Sequence, residues 1–160
     1  MIRIAPFETA HAAGVVSVIL AIQQGEFAIP ITLDGQPDLK DIPAFYRRGD
    51  GNFWVALDGD EVVGTIALLD IGNRQAALRK MFVAPAHRGA APGVAASLLQ
   101  TLFDWCRERG IREVFLGTTA KFLAAHRFYE KNGFAEIPRD TLPASFPVMT
   151  VDTKFYVRLL

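Results

Sequence analysis

Apolar and polar positions recur along this chain at two periods, and the switches between them mark out its elements. Residues 2–5 alternate as a short strand, and residues 8–24, rich in Ala, Val, Ile and Leu, read as a helix. A second helix is predicted over 39–48. The Pro- and Gly-punctuated connection between them, 25–37, is longer than most loops, and long loops on compact domains often meet ligands. Residues 53–57 and 62–69 flank Asp58-Gly59-Asp60-Glu61, a hairpin signal, and 75–83 returns after a second turn at Gly72-Asn73. Three successive antiparallel strands follow from this.

From Pro92 to Arg109 the residues Val94, Leu98, Leu102 and Trp105 recur at helical spacing, and Gly110 is a stop signal. Glu113 to Gly117 reads as a short strand. Thr119 is placed to cap a further helix whose residues Phe122, Ala125 and Tyr129 share a face, with Asn132-Gly133 ending it. Met149, Val151, Phe155, Val157 and Leu159 alternate with Thr150, Asp152, Lys154 and Arg158, the period of a closing half-buried strand.

Residues 78–95 run from a strand through a Gly-rich turn into a helix. The first turn of a helix leaves backbone N–H groups without intrahelical partners and carries partial positive charge, so an anion satisfies both. Gly89 and Gly93 let backbone approach a ligand closely, Pro92 suits a helix start, and Arg88 adds a cation. The same residues also make a simple tight connection, so on their own they leave both a phosphate site and a structural turn open.

Length and composition narrow the choice. At 160 residues the chain holds one domain, 1–160, with a proper core. Its 17 Lys plus Arg balance 17 Asp plus Glu, and without a basic run nucleic acid is not expected as a partner. The longest apolar stretch, 12–22, is shorter than the about 20 residues a membrane span needs, and the N-terminus lacks the pattern of a secretory signal. One cysteine, Cys106, suits a reducing cytoplasm, where the protein is expected, with no membrane partner. His11, His87 and His126 do not pair at metal-ligand spacing, so no metal is expected.

The element order resembles that of the GNAT superfamily of acyl-CoA-dependent N-acetyltransferases over nearly the whole chain. Its sharpest points are 81–89 (MFVAPAHRG), 93–99 (GVAASLL) and 126–134 (HRFYEKNGF). The resemblance implies an α/β (α+β-like) fold: a mixed, mostly antiparallel, twisted sheet of about seven strands flanked by about four helices. It implies acetyl-CoA as co-substrate, held by Met81, Phe82, Val83, Arg88, Gly89, Ala90, Ala91, Gly93, Val94 and Ala95. Two features depart from the family pattern. Two extra residues lie between the Arg88-Gly89 and Gly93-Val94-Ala95 parts of the turn, and Phe122 stands where many members carry an asparagine.

The implied chemistry is direct attack of a primary amine of a small molecule or peptide on the thioester, in a ternary complex. An alkylammonium has a pKa of about 10.4, so roughly one molecule in a few thousand is nucleophilic at about pH 7 and its proton must be taken. The departing thiolate leaves more easily when an acid protonates it, and Tyr129 occupies the family's position for that acid. Met81-Phe82-Val83 would offer edge-strand backbone to the pantetheine arm. Glu26 and Asp70 are the carboxylates expected on the acceptor side, and His126, one turn before Tyr129, could face the same cleft. An exposed strand or apolar helix face would support a homodimer. Two other readings stay open: a non-catalytic acyl-CoA-binding or regulatory module, and a nucleotide-binding α/β protein, although the strand order lacks repeated parallel units.

Overall fold

A computed structural model describes residues 1–89 and 93–160. Seven strands form one sheet in the order β1-β2-β3-β4-β5-β7-β6. The strands are β1 Ile2–Pro6, β2 Asn52–Asp58, β3 Glu61–Gly72, β4 Gln75–Val83, β5 Glu113–Thr118, β6 Ala135–Ile137 and β7 Lys154–Leu159. Four α-helices accompany them among the described residues: α1 Ala12–Leu20, α2 Ile42–Tyr46, α3 Val94–Glu108 and α4 Leu123–Lys131. All neighbours pair antiparallel except β4 and β5, so the mixed sheet expected from sequence is present.

The two faces are covered separately. Leu98, Leu99, Leu102, Phe103 and Cys106 of α3 bury against Trp54, Ile66, Leu78 and Leu116. On the other face Val15 and Ile19 of α1, with Ile42 and Tyr46, pack on Phe53, Val55, Leu57 and Ala67. Apolar helix stripes meeting apolar strand faces account for the architecture.

Four boundaries differ from the sequence reading, each for a local reason. The first helix runs from a 3-10 turn, Thr9–His11, through α1 into a π-type turn, Ala21–Glu26, closed by Phe27 N–H donating to the Ile22 carbonyl at 3.1 Å. The predicted helix over 39–48 is broken into a 3-10 turn, Pro37–Leu39, and α2. Pro43 has no N–H to bond back to Leu39, and the Asp41 carboxylate instead accepts from Ala44 N at 3.2 Å to start a new helix. Thr119 does not cap α4, which starts at Leu123 with Phe122 at its N-cap; the Thr119 hydroxyl accepts from Lys121 N in a separate turn. The closing strand begins at Lys154 rather than Met149, because the Asp152 carboxylate accepts from Met149 N at 3.0 Å and folds 149–152 into a turn.

Two irregularities of β4 shape the site. It pairs with β5 only at Gln75, Ala76 and Ala77, opposite Glu113, Val114 and Phe115, and the strands then part. Met81–Val83 is therefore not on an edge strand as expected, yet the splay leaves that segment without a ladder partner on the β5 side. The register against β3 also slips between Thr65 and Ala67, opposite Lys80, whose φ is 51° and whose carbonyl accepts from the Thr65 hydroxyl at 2.6 Å. This is a β-bulge, one residue in excess on one strand.

Candidate functional site

Where β4 and β5 part, a cavity of about 690 Å³ opens between them and is lined from the π-type turn after α1, β4, β5, α4 and the loop before β7. Small-molecule sites are commonly clefts of about 300–1,000 Å³ with mostly apolar walls and a few polar groups. This cavity has that character: Ile22, Phe27, Ile31, Phe122 and Phe146 line it beside a small number of charged side chains. Phe122 packs edge-on to Phe27 with ring centres 4.7 Å apart and to Phe82 at 6.3 Å.

One end is formed by Arg88, Gly89 and Ala95 at the start of α3. Gly89 has φ +85°, a conformation that side chains rarely adopt, so glycine here is a backbone requirement. Gly93 is the N-cap of α3. Gly93 and Val94 stand at the helix start but do not line the cavity, and Ala90, Ala91 and Pro92 lie outside the described residues. The Arg88 guanidinium donates to both oxygens of Glu26, at 2.7 and 2.8 Å, and its Nε donates to the Val83 carbonyl at 2.8 Å. Hydrogen bonding from Arg88 holds the Glu26 carboxyl below its ordinary value. Glu26 therefore lines the cavity as the partner of Arg88, as a firmly ionised carboxylate and a weak base.

Tyr129 also lines the cavity. Its ring is buried against Phe128, Phe134 and Tyr156, and burial pushes its hydroxyl well above the usual phenol range. The Tyr156 hydroxyl donates to Glu130 at 2.6 Å and the Tyr46 hydroxyl to Asp38 at 2.5 Å, whereas that of Tyr129 bonds to none of the described residues. A neutral phenol at a cavity wall is an available proton donor.

The other end carries groups that sequence reasoning missed. Arg79, Lys80 and Asp152 all line the cavity. Arg79 Nη2 and Lys80 Nζ stand 3.8 and 3.7 Å from Asp38 Oδ2, with Asp38 almost fully buried. Lys80 also donates to the Gln36 side chain, itself paired with Gln23 at 2.9 and 3.1 Å. Burial brings Lys80 down to about 8 and raises Asp152 above its ordinary value. The legible signal was two adjacent charges, Arg79-Lys80, inside an otherwise apolar strand.

Two expected residues stand elsewhere. The Asp70 carboxylate accepts from Asp50 N and Gly72 N, both at 2.8 Å, and tethers loops away from the cavity lining. The His126 ring is buried with Nε2 2.9 Å from the Thr119 carbonyl, a structural link outside the lining. Cys106 is buried on the sheet-facing side of α3 and its thiol is pushed up to about 12. Among the described residues no three His, Cys, Asp or Glu side chains gather as a metal site, and no helix is long and apolar enough to cross a membrane.

A family model described as "Acetyltransferase (GNAT) family" matches residues 19–134. The probable N-acetyltransferase family 8 member 5 of Mus musculus is 36% identical over 104 residues, 62% of this chain and 45% of that protein. The chain thus spans about half the length of the curated relatives it matches. A solved GNAT-family acetyltransferase from Staphylococcus aureus Mu50 superposes with a TM-score of 0.95 at 39% identity, over 99% of each chain. The PaiA N-acetyltransferase of Thermoplasma acidophilum, solved in complex with coenzyme A, shares the fold with a TM-score of 0.77 at 16% identity, over 100% of this chain and 99% of that one.

Proposed function

The chain belongs to the GNAT acetyltransferase family, and on that footing we propose that it transfers an acetyl group from acetyl-CoA to a primary amine by direct attack in a ternary complex. The observation that carries this reading is that one cavity joins the Arg88–Gly89 turn to a free phenol, Tyr129, along a strand segment lacking a ladder partner on one side.

Acetyl-CoA supplies the acyl group as a thioester. The residues of this chain bind it and move protons. Arg88, Gly89 and the N–H groups at the start of α3, which have no side-chain cap, suit the pyrophosphate. The β5-facing backbone of Met81, Phe82 and Val83 suits the amides of the pantetheine arm, which then fills the gap as an added strand would. Tyr129 donates its phenolic proton to the departing sulfur.

Release of free thiol from acetyl-CoA over a panel of amines, peptides and aminoglycosides tests the activity. Acetyl-CoA, but neither NAD nor ATP, should raise the unfolding temperature, since a ligand of the native state stabilises it. A protein stabilised by acetyl-CoA that releases no thiol with any amine would be a binding module, and the enzyme reading would fall.

A further inference from the structure

Building on the acetyl-transfer reading, we propose that the acceptor is an amino acid or similar carboxylate-bearing amine, its carboxylate held by Arg79 and Lys80 and its nitrogen presented to Asp152. The placement of charge on β4 is unusual. Side chains of consecutive strand residues ordinarily point to opposite faces, yet Arg79 and Lys80 both reach Asp38 Oδ2. The bulge at Lys80 turns both to one side. Their side chains are only 12% and 8% exposed, and both line the cavity.

Arg79 is poorly satisfied by the protein, and Lys80 has one side-chain hydrogen bond, to Gln36. At 3.7–3.8 Å from Asp38 neither makes a hydrogen bond to it, and that oxygen already accepts from the Tyr46 hydroxyl. The single hydrogen bond of the Arg79 side chain among the described residues is to the Met149 sulfur at 3.6 Å, a weak acceptor. The Phe45 and Tyr46 rings lie 5.5 and 5.9 Å from the guanidinium carbon, and the planar N–H edge has no oxygen acceptor at hydrogen-bond distance among the described residues. That edge matches a carboxylate in two-point geometry.

Asp152 completes the pattern. It lines the same cavity, close enough to Arg79 and Lys80 to feel their charge, and one oxygen accepts from Met149 N. With Asp38 and Asp152 ionised, the two cations and two anions balance; once Asp152 takes a proton, one positive charge is left over. That surplus equals the carboxylate charge of an acceptor whose ammonium has just become an amine. In the reaction the ammonium's first proton goes to Asp152. The amine nitrogen forms a bond to the thioester carbonyl carbon as the carbon–sulfur bond breaks. Tyr129 protonates the sulfur, the second nitrogen proton restores Tyr129, and Asp152 returns its proton to solvent. The apolar walls, Ile22, Phe27 and Ile31, suit an apolar acceptor side chain.

The test is a matched panel: L-amino acids, including Leu and Phe, against their amides and decarboxylated amines, read as thiol release from acetyl-CoA with the intact chain. At least tenfold higher kcat/KM for the carboxylate form is expected. Arg79→Gln and Lys80→Gln should raise KM for the amino acid tenfold or more and bring its ratio to the amide towards one, with Arg79→Lys between. Amides or decarboxylated amines used as well as the amino acids would overturn the inference while leaving acetyl transfer intact. No thiol release from any amine would sink acetyl transfer. In that case, unfolding temperature with saturating CoA still decides: stabilisation by amino acids over their amides supports the carboxylate site, and equal response refutes it.

Discussion

Arg88 is tied to Glu26, and Glu26→Gln therefore has a definite sign. If Arg88 meets the pyrophosphate, the phosphate must displace or share a guanidinium that already has two short bonds to a carboxylate, at 2.7 and 2.8 Å. The side chains are 38% and 32% exposed, so water and salt screen the pair. Such pairs contribute about 0.2–1 kcal/mol, and two-point geometry places this one near the upper end. Removing the competing carboxylate should tighten CoA binding by up to about 1 kcal/mol, or about fivefold in Kd. Titration calorimetry at about 0.15 M salt, where the Debye length is about 8 Å, is the assay. Arg88→Ala should weaken binding by the about 1.5–3 kcal/mol of a hydrogen bond to a charged group, and in that background Glu26→Gln should have no further effect. An unchanged or weaker Kd for Glu26→Gln alone would refute the competition.

Three further outcomes are expected. Tyr129→Phe should lower kcat by about a hundredfold or more while the Kd for acetyl-CoA stays unchanged, as measured by stopped-time thiol release and calorimetry. In Gly117→Ala the new Cβ would lie 2.5 Å from Asp152 Oδ2, pushing the carboxylate aside; misplacement on this scale can cost about a hundredfold, and a fall in acceptor kcat/KM without loss of acetyl-CoA binding checks it. Lys80, depressed by burial from 10.5 to about 8, gives stability that is present above pH 10.5 and lost as pH falls through about 8. Between pH 7 and pH 9 the wild type should gain about 1 kcal/mol more than Lys80→Met in urea unfolding.

The sheet was legible because its strands carry their own punctuation. Gly59, with φ +61°, and Asn73 and Arg74, with φ 55° and 58°, take the left-handed conformations that tight hairpins need, so the bounds of β4 agree with the apolar run that announced it. The site was less legible because its residues obey the pattern while departing from the element. Asp152 sits at an outward position of an alternating run, yet its carboxylate bends that run into a turn. Asp70 looked like a free carboxylate at a strand end, but two loop N–H groups occupy it. Side-chain bonds to distant backbone leave no periodic trace.

The excess residue in β4 also separates the fate of the cavity from that of the fold. Before it, Ala76 and Leu78 face the α3 side and Ala77 the other; beyond it, Met81 and Val83 face α3 and Phe82 the other. Deleting Lys80 would leave an unbroken two-residue rhythm, with every apolar side chain on its present face. Such a strand could lie flat and continue along β5, sealing the gap. A single lost codon would thus remove the bulge that opens the chamber while each apolar side chain of β4 keeps its face.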